Sequence, residues 1–336
     1  MRLPRFFYRA EPLVNMLVLT LFSLPFLAFL LDLLLGDPHR LPHPVRLIGL
    51  WLHWLEPRAR RLGLPLKLAG LLCVAATAGA SYGAVTFLCS IKYFGLIFLL
   101  YFAYAGLALG ELLASARAAM RLIQDDARLD EARQAVGMLV SRSTGQMDAQ
   151  ELRRTLAETV SENFCDAFVA PMFYLVLGGP ALMWAYKAVS TMDSMWGYKT
   201  ERFRDLGYAA ARTDDALAYV PARLSALLLL VVGALLGLNW RQALARFQPD
   251  AAQMDSPNAG WPMAACAWLV QGSMGGPATY FGEVKLKPAL GPKDQVWSVE
   301  KLKKLSRLVL FSGFAGVVLL QAAMVLATGH LSRYFW

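Results

Sequence analysis

Apolar runs separated by polar segments of uneven length set the first expectation for this chain. Runs at about 13–35, 68–90, 93–113 and 308–327 each reach the roughly 20 residues that a helix needs to cross a bilayer. A leucine-rich run at 221–238 is only slightly shorter. A run at 263–274 is too short to cross alone and is expected to be re-entrant or buried in the core. The run at 167–189 is interrupted by Pro171, Gly178, Gly179 and Pro180. Broken helices are tolerated at membrane depth where protein or a water-filled cavity surrounds them. Between the third run and the broken one lies a polar insert, about 114–164, with helical character. Within it, Asp148 followed by Glu151 reads as a capped helix start. The pattern predicts an all-α, polytopic integral membrane protein, one domain over 1–336, with broken or re-entrant segments and polar cytoplasmic helices and loops.

Basic residues constrain the topology. Lys and Arg number six in 37–67, seven in 115–164, four in 190–219 and six in 277–306. Positive charge holds loops on the cytoplasmic side, so all four segments are expected there. The second and third are separated only by the broken run, which is therefore expected to enter and return rather than cross once. Arg2, Arg5 and Arg9 precede the first run. That run exceeds the length of about 7–15 residues typical of a signal-peptide core and is read as a retained span. Asp32, near its end, is expected to reach the interface.

Composition narrows the reading. Of 336 residues, 57% are hydrophobic and only 17% charged, where a soluble domain carries about 25%. The net charge of +9 fits basic loops facing anionic lipid, and no nucleic-acid motif accompanies it. Cys73, Cys89, Cys165 and Cys266 are scattered, without metal-ligand spacing.

Candidate chemistry gathers in polar interruptions. The segment 36–49 contains three prolines in seven residues, which rules out a continuous helix and makes a rigid loop carrying Asp37, His39, His43 and Arg46. Trp51, His53 and Trp54 then read as an interfacial helix. Glu162 and Asp166 are four apart and share a helix face, where two like charges call for a cation. The stretch 191–223 packs Asp193, Lys199, Arg202, Arg204, Asp205, Arg212, Asp214, Asp215 and Arg223 between two hydrophobic segments. Such residues can bind a charged ligand, or pair off as Arg202–Asp205 and Arg212–Asp215 at helical spacing. Asn258, within the turn at 256–262, is either a ligand contact or a turn former.

Five segments, GDPHRLPHPVRLIG at 36–49, ETVSENFCDAFVAPMFY at 158–174, STMDSMWGYKTERFRDLGYAAARTDDALAYVPARLSA at 190–226, SPNAGWPMA at 256–264 and GGPATYFGE at 275–283, together resemble the adenosylcobinamide-phosphate synthase family of cobalamin biosynthesis, CobD/CbiB. The resemblance implies an enzyme of the bacterial inner membrane, multi-pass, with its active-site loops facing the cytoplasm. It implies a ligase that joins a propionate of adenosylcobyric acid to aminopropanol or its phosphate through an amide, with ATP and Mg²⁺ required. The partners it implies are a corrinoid substrate, an amino alcohol, the lipid bilayer and, as homo-oligomer or pathway neighbours, other protein chains. Catalytic roles are expected for Asp215, Asp193, Glu162 and Lys199. Ligand or phosphate binding is expected of Arg202, Arg204, Arg212, Arg223, Asn163, Asn258, Glu283, Asp37, His43 and Arg46. Mg²⁺ is expected on Asp214, Asp215 and Asp166, since that ion takes hard oxygen ligands. The chain has no GxxxxGK[ST] loop, so nucleotide phosphates must be held another way. A non-catalytic homologue, regulatory or corrinoid-binding, is the alternative.

Overall fold

The computed structural model describes residues 24–37, 43–198, 200–280 and 283–332. The start of the first expected span and His39 lie outside them. The fold is helical: α1 (Leu24–Leu35), then α2 (Pro44–Arg60), α3 (Leu66–Ser90), α4 (Gly95–Ala105), α5 (Leu109–Ile123), α6 (Leu129–Gly137), α7 (Ala149–Phe164), α8 (Ala170–Trp196), α9 (Tyr208–Leu217), α10 (Tyr219–Leu235), α11 (Trp240–Ala251), α12 (Gly260–Val270) and α13 (Val299–Ser332). The antiparallel ribbon β1 (Met274–Tyr280) and β2 (Glu283–Leu290) precedes α13. Among the described residues, four helical stretches are long and apolar enough to cross a membrane, at 66–90, 95–123, 149–196 and 299–326.

The third of these stretches reverses direction. Gly178 leaves helical geometry at φ −152°, and Gly179 takes φ 72°, a left-handed value that glycine tolerates without steric cost. Pro180 then starts the returning limb. Tyr174 and Tyr186 lie on opposite sides of this break, yet their rings stack with centroids 4.8 Å apart. In a straight helix twelve residues would separate them by about 18 Å. The two limbs therefore fold against each other, and the residues at their outer ends return to one level.

Between α7 and α8 the chain widens into a π-helix, Cys165–Val169, a form that concentrates at functional sites. The start of α7 carries the capping box read from the sequence: Glu151 N–H donates to Asp148 at 2.7 Å, and Asp148 N–H donates to Glu151 at 3.1 Å. The short apolar α12 is buried almost throughout, as a helix apolar on every side should be.

Asp32 departs from expectation. It is fully buried, and its Oδ2 accepts the N–H groups of Leu109 and Gly110, both at 3.0 Å. A helix N-terminus has unpaired donors and a positive dipole end, so a carboxylate there is stabilising. Asp32 thus caps α5 from another helix and does not reach the interface. The ribbon is the second departure. Gly275, Gly276 and Pro277 are residue types that weaken a strand, yet they lie at the start of β1, with positive φ at both glycines.

Candidate active site

The ends of α7 and α8, together with α9, the connection between α8 and α9, the turn before α12 and strand β2, surround a cavity of about 690 Å³, within the range of small-molecule sites. Glu162 and Asp166 enter it from α7 and the π-helix. Asp193 comes from the returning limb of α8, and Arg204 from the connection that follows. Arg212, Asp214 and Asp215 come from α9, and Asn258 from the turn. Eight of the residues singled out in the sequence are thus brought together from segments about 100 residues apart. The reversal at Gly178–Gly179 is what makes this possible, because it returns Asp193 to the level of Asp166.

The cavity carries charge of both signs. Six carboxylates line it: Glu162, Asp166, Asp193, Asp214, Asp215 and Asp255. Among the described residues its cations are Arg204, Arg212 and Lys285, all on exposed side chains. Asp166 is itself exposed, although it lies in the π-helical joint between α7 and α8, and it is the cavity that it faces. Arg212 pairs with a lining acid, a 3.7 Å contact to Asp215 at the helical spacing anticipated. Asp214 is left with a buried Oδ1 that meets no hydrogen-bond donor, the kind of atom that native proteins rarely leave unsatisfied. Gly197 makes room for Asp193: a Cβ there would collide with the Asp193 carboxylate.

Among the described residues no three His, Cys, Asp or Glu side chains form a ready-made metal cluster. The expected set of Asp214, Asp215 and Asp166 shares the cavity without closing on one point. That arrangement still fits Mg²⁺, which uses one or two carboxylates and completes its shell with water and ligand phosphates. The unpartnered oxygen of Asp214 is the atom best placed to serve.

Other candidates are engaged elsewhere. Arg202 does not pair with Asp205. It forms a two-pronged contact with the buried Glu56 of α2, at 2.8 and 2.7 Å, and Arg60 joins the same carboxylate at 3.1 Å. These contacts, the Arg202 bonds first, hold the Glu56 carboxyl below its usual pKa. Arg202 therefore pins the 197–207 connection to α2 and leaves the cavity. His43 is the N-cap of α2: its Nδ1 accepts from Val45 N–H at 3.3 Å, and Nε2 donates to Ala105 O at 3.1 Å and lies 3.2 Å from Asp37. Burial holds its pKa below the usual value. Arg46 is exposed on α2, and none of these three lines the cavity. Asn163 points to another hollow and donates to the backbone and side chain of Thr159 at 3.0 Å. Arg223 lies just behind the wall, 3.4 Å over the Tyr219 ring and 4.5 Å over Trp261, and donates to Asn258 at 2.9 Å. Asn258 spends its NH₂ on the Asp215 carbonyl at 2.8 Å, so it shapes the wall with both ends of its amide taken. Lys199 and the Glu283 side chain lie outside those described.

Residues that the sequence reading passed over include Asp255, Tyr198, Tyr208 and Lys285 on the cavity wall. Lys187 was also missed. It is half-buried on the returning limb, within electrostatic reach of Asp32, Asp37 and Asp166. A lysine inside an apolar run was the signal available for it.

Comparison with known proteins adds an independent line. The sequence model of the "CobD/Cbib protein" family matches residues 25–309. "Cobalamin biosynthesis protein CobD" of Pelobacter propionicus is 39% identical over 318 residues, which cover 91% of this chain and 97% of that protein. "Cobalamin biosynthesis protein CobD" of Geobacter metallireducens is 40% identical over 270 residues, 79% of this chain and 84% of that one. "Cobalamin biosynthesis protein CbiB" of Salmonella typhimurium is 36% identical over 305 residues, 88% and 95% of the two. No solved structure matches.

Proposed function

For a chain that belongs to the CobD/CbiB family, we propose a role in cobalamin biosynthesis as the ligase that makes an amide between a corrinoid propionate and an amino alcohol phosphate, at the cavity between α7, α8 and α9. The observation that supports this reading is a cavity lined both by carboxylates and by the cations Arg204, Arg212 and Lys285. An amino alcohol phosphate has an ammonium at one end and a phosphate at the other. Carboxylates from the helices suit the first, and the exposed Arg204, Arg212 and Lys285 suit the second, arginine by paired contacts and lysine as a point charge.

The reaction needs a free amine, so the ammonium must give up a proton before it attacks. Asp193, on the returning limb of α8, is the group available to take it. A carboxylate is a poor acyl donor, and ATP with Mg²⁺ would supply the phosphoryl group that activates the propionate. Asp214 and Asp166 would hold the ion, with the exposed cations on the phosphates. The carboxylate oxygen then leaves with phosphate as the carbon–nitrogen bond forms. Enclosure of the cavity limits hydrolysis of the activated acyl group.

The enzyme would sit in the cytoplasmic membrane with this cavity on the cytoplasmic side, where the basic segments cluster. Thiol-labelling of S143C and T200C in intact and opened cells checks the orientation, and labelling from opposite sides would refute it. The activity test uses purified protein in detergent with adenosylcobyric acid, Mg²⁺-ATP and a series of amino alcohols with and without phosphate. The amide product is expected by mass spectrometry, with the phosphorylated substrates preferred. No product with any of them would sink the proposal.

A further inference from the structure

A two-stranded ribbon has little stability of its own, so the position of β1–β2 must come from its attachments. Its two bases are held by carboxylates on different helices. At the start of β1, Gly275 N–H donates to Glu158 Oε1 at 2.8 Å. Just past β2, Gly291 N–H donates to Asp250 Oδ2 at 2.8 Å, an oxygen that also accepts from Trp268 at 2.7 Å. Glu158 is the more deeply set of the two. It has no exposed surface, and its second oxygen takes Arg142 at 2.5 Å. Arg154, 3.9 Å from Glu158, reaches on to the Pro277 carbonyl of β1 at 3.4 Å. The joint tolerates no side chain at Gly275, where φ is +87° and a Cβ would collide with the Pro288 carbonyl across the ribbon.

Glu158 stands one helical turn before Glu162 on α7, and the ribbon it holds carries Lys285 into the same cavity. We infer that Glu158, with Arg142, is a positioning residue that sets the ribbon, and through it Lys285, against the acidic wall begun by Glu162. The inference rests on the function proposed above only for its kinetic readout. Its mechanical content stands apart: a carboxylate carried by α7 fixes the distance between the cavity's cationic strand and its carboxylates. Lys285 then binds the phosphate end of the amino alcohol, an interaction present before and during reaction, so its misplacement weakens binding more than it slows turnover.

Two measurements test this in the full-length protein. The first is a double-mutant cycle between E158Q and K285A, read as KM for the amino alcohol phosphate. Each single variant should raise KM about tenfold with kcat changed less than about threefold, and the double variant should stay near tenfold, because both changes remove one contact. Multiplication to about a hundredfold would overturn the inference. The second is a spin-label distance between L286C on the ribbon and M138C beyond α6, in a C89S background. A narrow distribution is expected with Glu158 and a broad or shifted one with E158Q; an unchanged distribution overturns the inference whether or not the protein turns over the proposed substrates. Should E158Q fail to fold, R142K, which keeps the charge but loses the short contact, should move both readouts in the same direction by a smaller amount. If wild-type protein shows no turnover, the proposed function fails while the distance measurement still decides this point.

Discussion

Asp214 lines the cavity and Glu158 lies buried one helical turn from its lining residue Glu162, and the protein treats the two acids differently. Glu158 has no exposed surface, and each of its oxygens has a donor, one from Arg142 and one from the Gly275 N–H. Asp214 has a buried oxygen with no donor, in a cavity already lined by five other carboxylates. A buried charge is tolerated when it is paired and hydrogen-bonded. By that measure Glu158 is finished within the chain, and Asp214 is finished only by something that enters. The difference separates an acid that builds the site from an acid proposed to work in it.

The comparison breaks most readily at Glu158. Removing one partner of a buried pair leaves the other charge stranded, at a cost of about 3–5 kcal/mol. E158A should therefore lower the melting temperature sharply and depress the yield of folded protein in detergent. D214N should do the reverse. It removes a crowded negative charge without stranding a partner, so stability should hold or rise slightly. Turnover should fall by at least about 100-fold, the order seen when a group acting in the transition state is removed. A large loss of stability in D214N, or none in E158A, would erase the distinction.

Asp32 offers a smaller version of the same test. As the cap of α5 it resembles Glu158 in purpose but is less complete, with one oxygen serving two N–H groups and the other unpartnered. D32A should cost about 0.5–2 kcal/mol, the range for a lost cap, with kcat unchanged. Glu56 should show the smallest effect, visible mainly through pH. Its folded pKa lies below the ordinary 4.5 because Arg202 and Arg60 hold the ionised form. The stabilisation is fully present above the unfolded pKa and is lost as pH falls through the lower folded value. The stability difference between wild type and E56Q should be constant near neutrality and shrink below about pH 4.5. A difference that grows on acidification would contradict the assignment.

These contrasts also explain what the sequence revealed and what it withheld. The capping box at Asp148 and Glu151 was legible because its atoms come from residues three apart. Seven of the cavity's charged residues were legible because charge inside a hydrophobic sequence has few structural uses. What escaped depends on partners distant in sequence. Arg202 had a plausible mate three residues away in Asp205, and the structure instead joins it to Glu56, 146 residues earlier. Asp32 was placed at an interface because nothing local announced that Leu109 and Gly110 would bring it two unpaired N–H groups. The ribbon was hidden by its own glycines, which look like breakers until Glu158 and Arg154 supply the contacts that hold their unusual backbone.

The reversal at Gly178–Gly179 makes the two limbs of α8 behave as a caliper. Asp166 and Asp193 meet across the cavity only while the helical path down one limb and up the other stays matched. One residue inserted in a single limb would turn everything beyond it by about 100° and lift it by about 1.5 Å, carrying an acid away from its place without touching the site itself. A residue added to each limb would lengthen the hairpin but would still rotate both acids. Length in this apolar segment is therefore tied to the cavity at its far end, and the Gly178–Gly179 turn is as much a part of the site's geometry as the carboxylates it brings together.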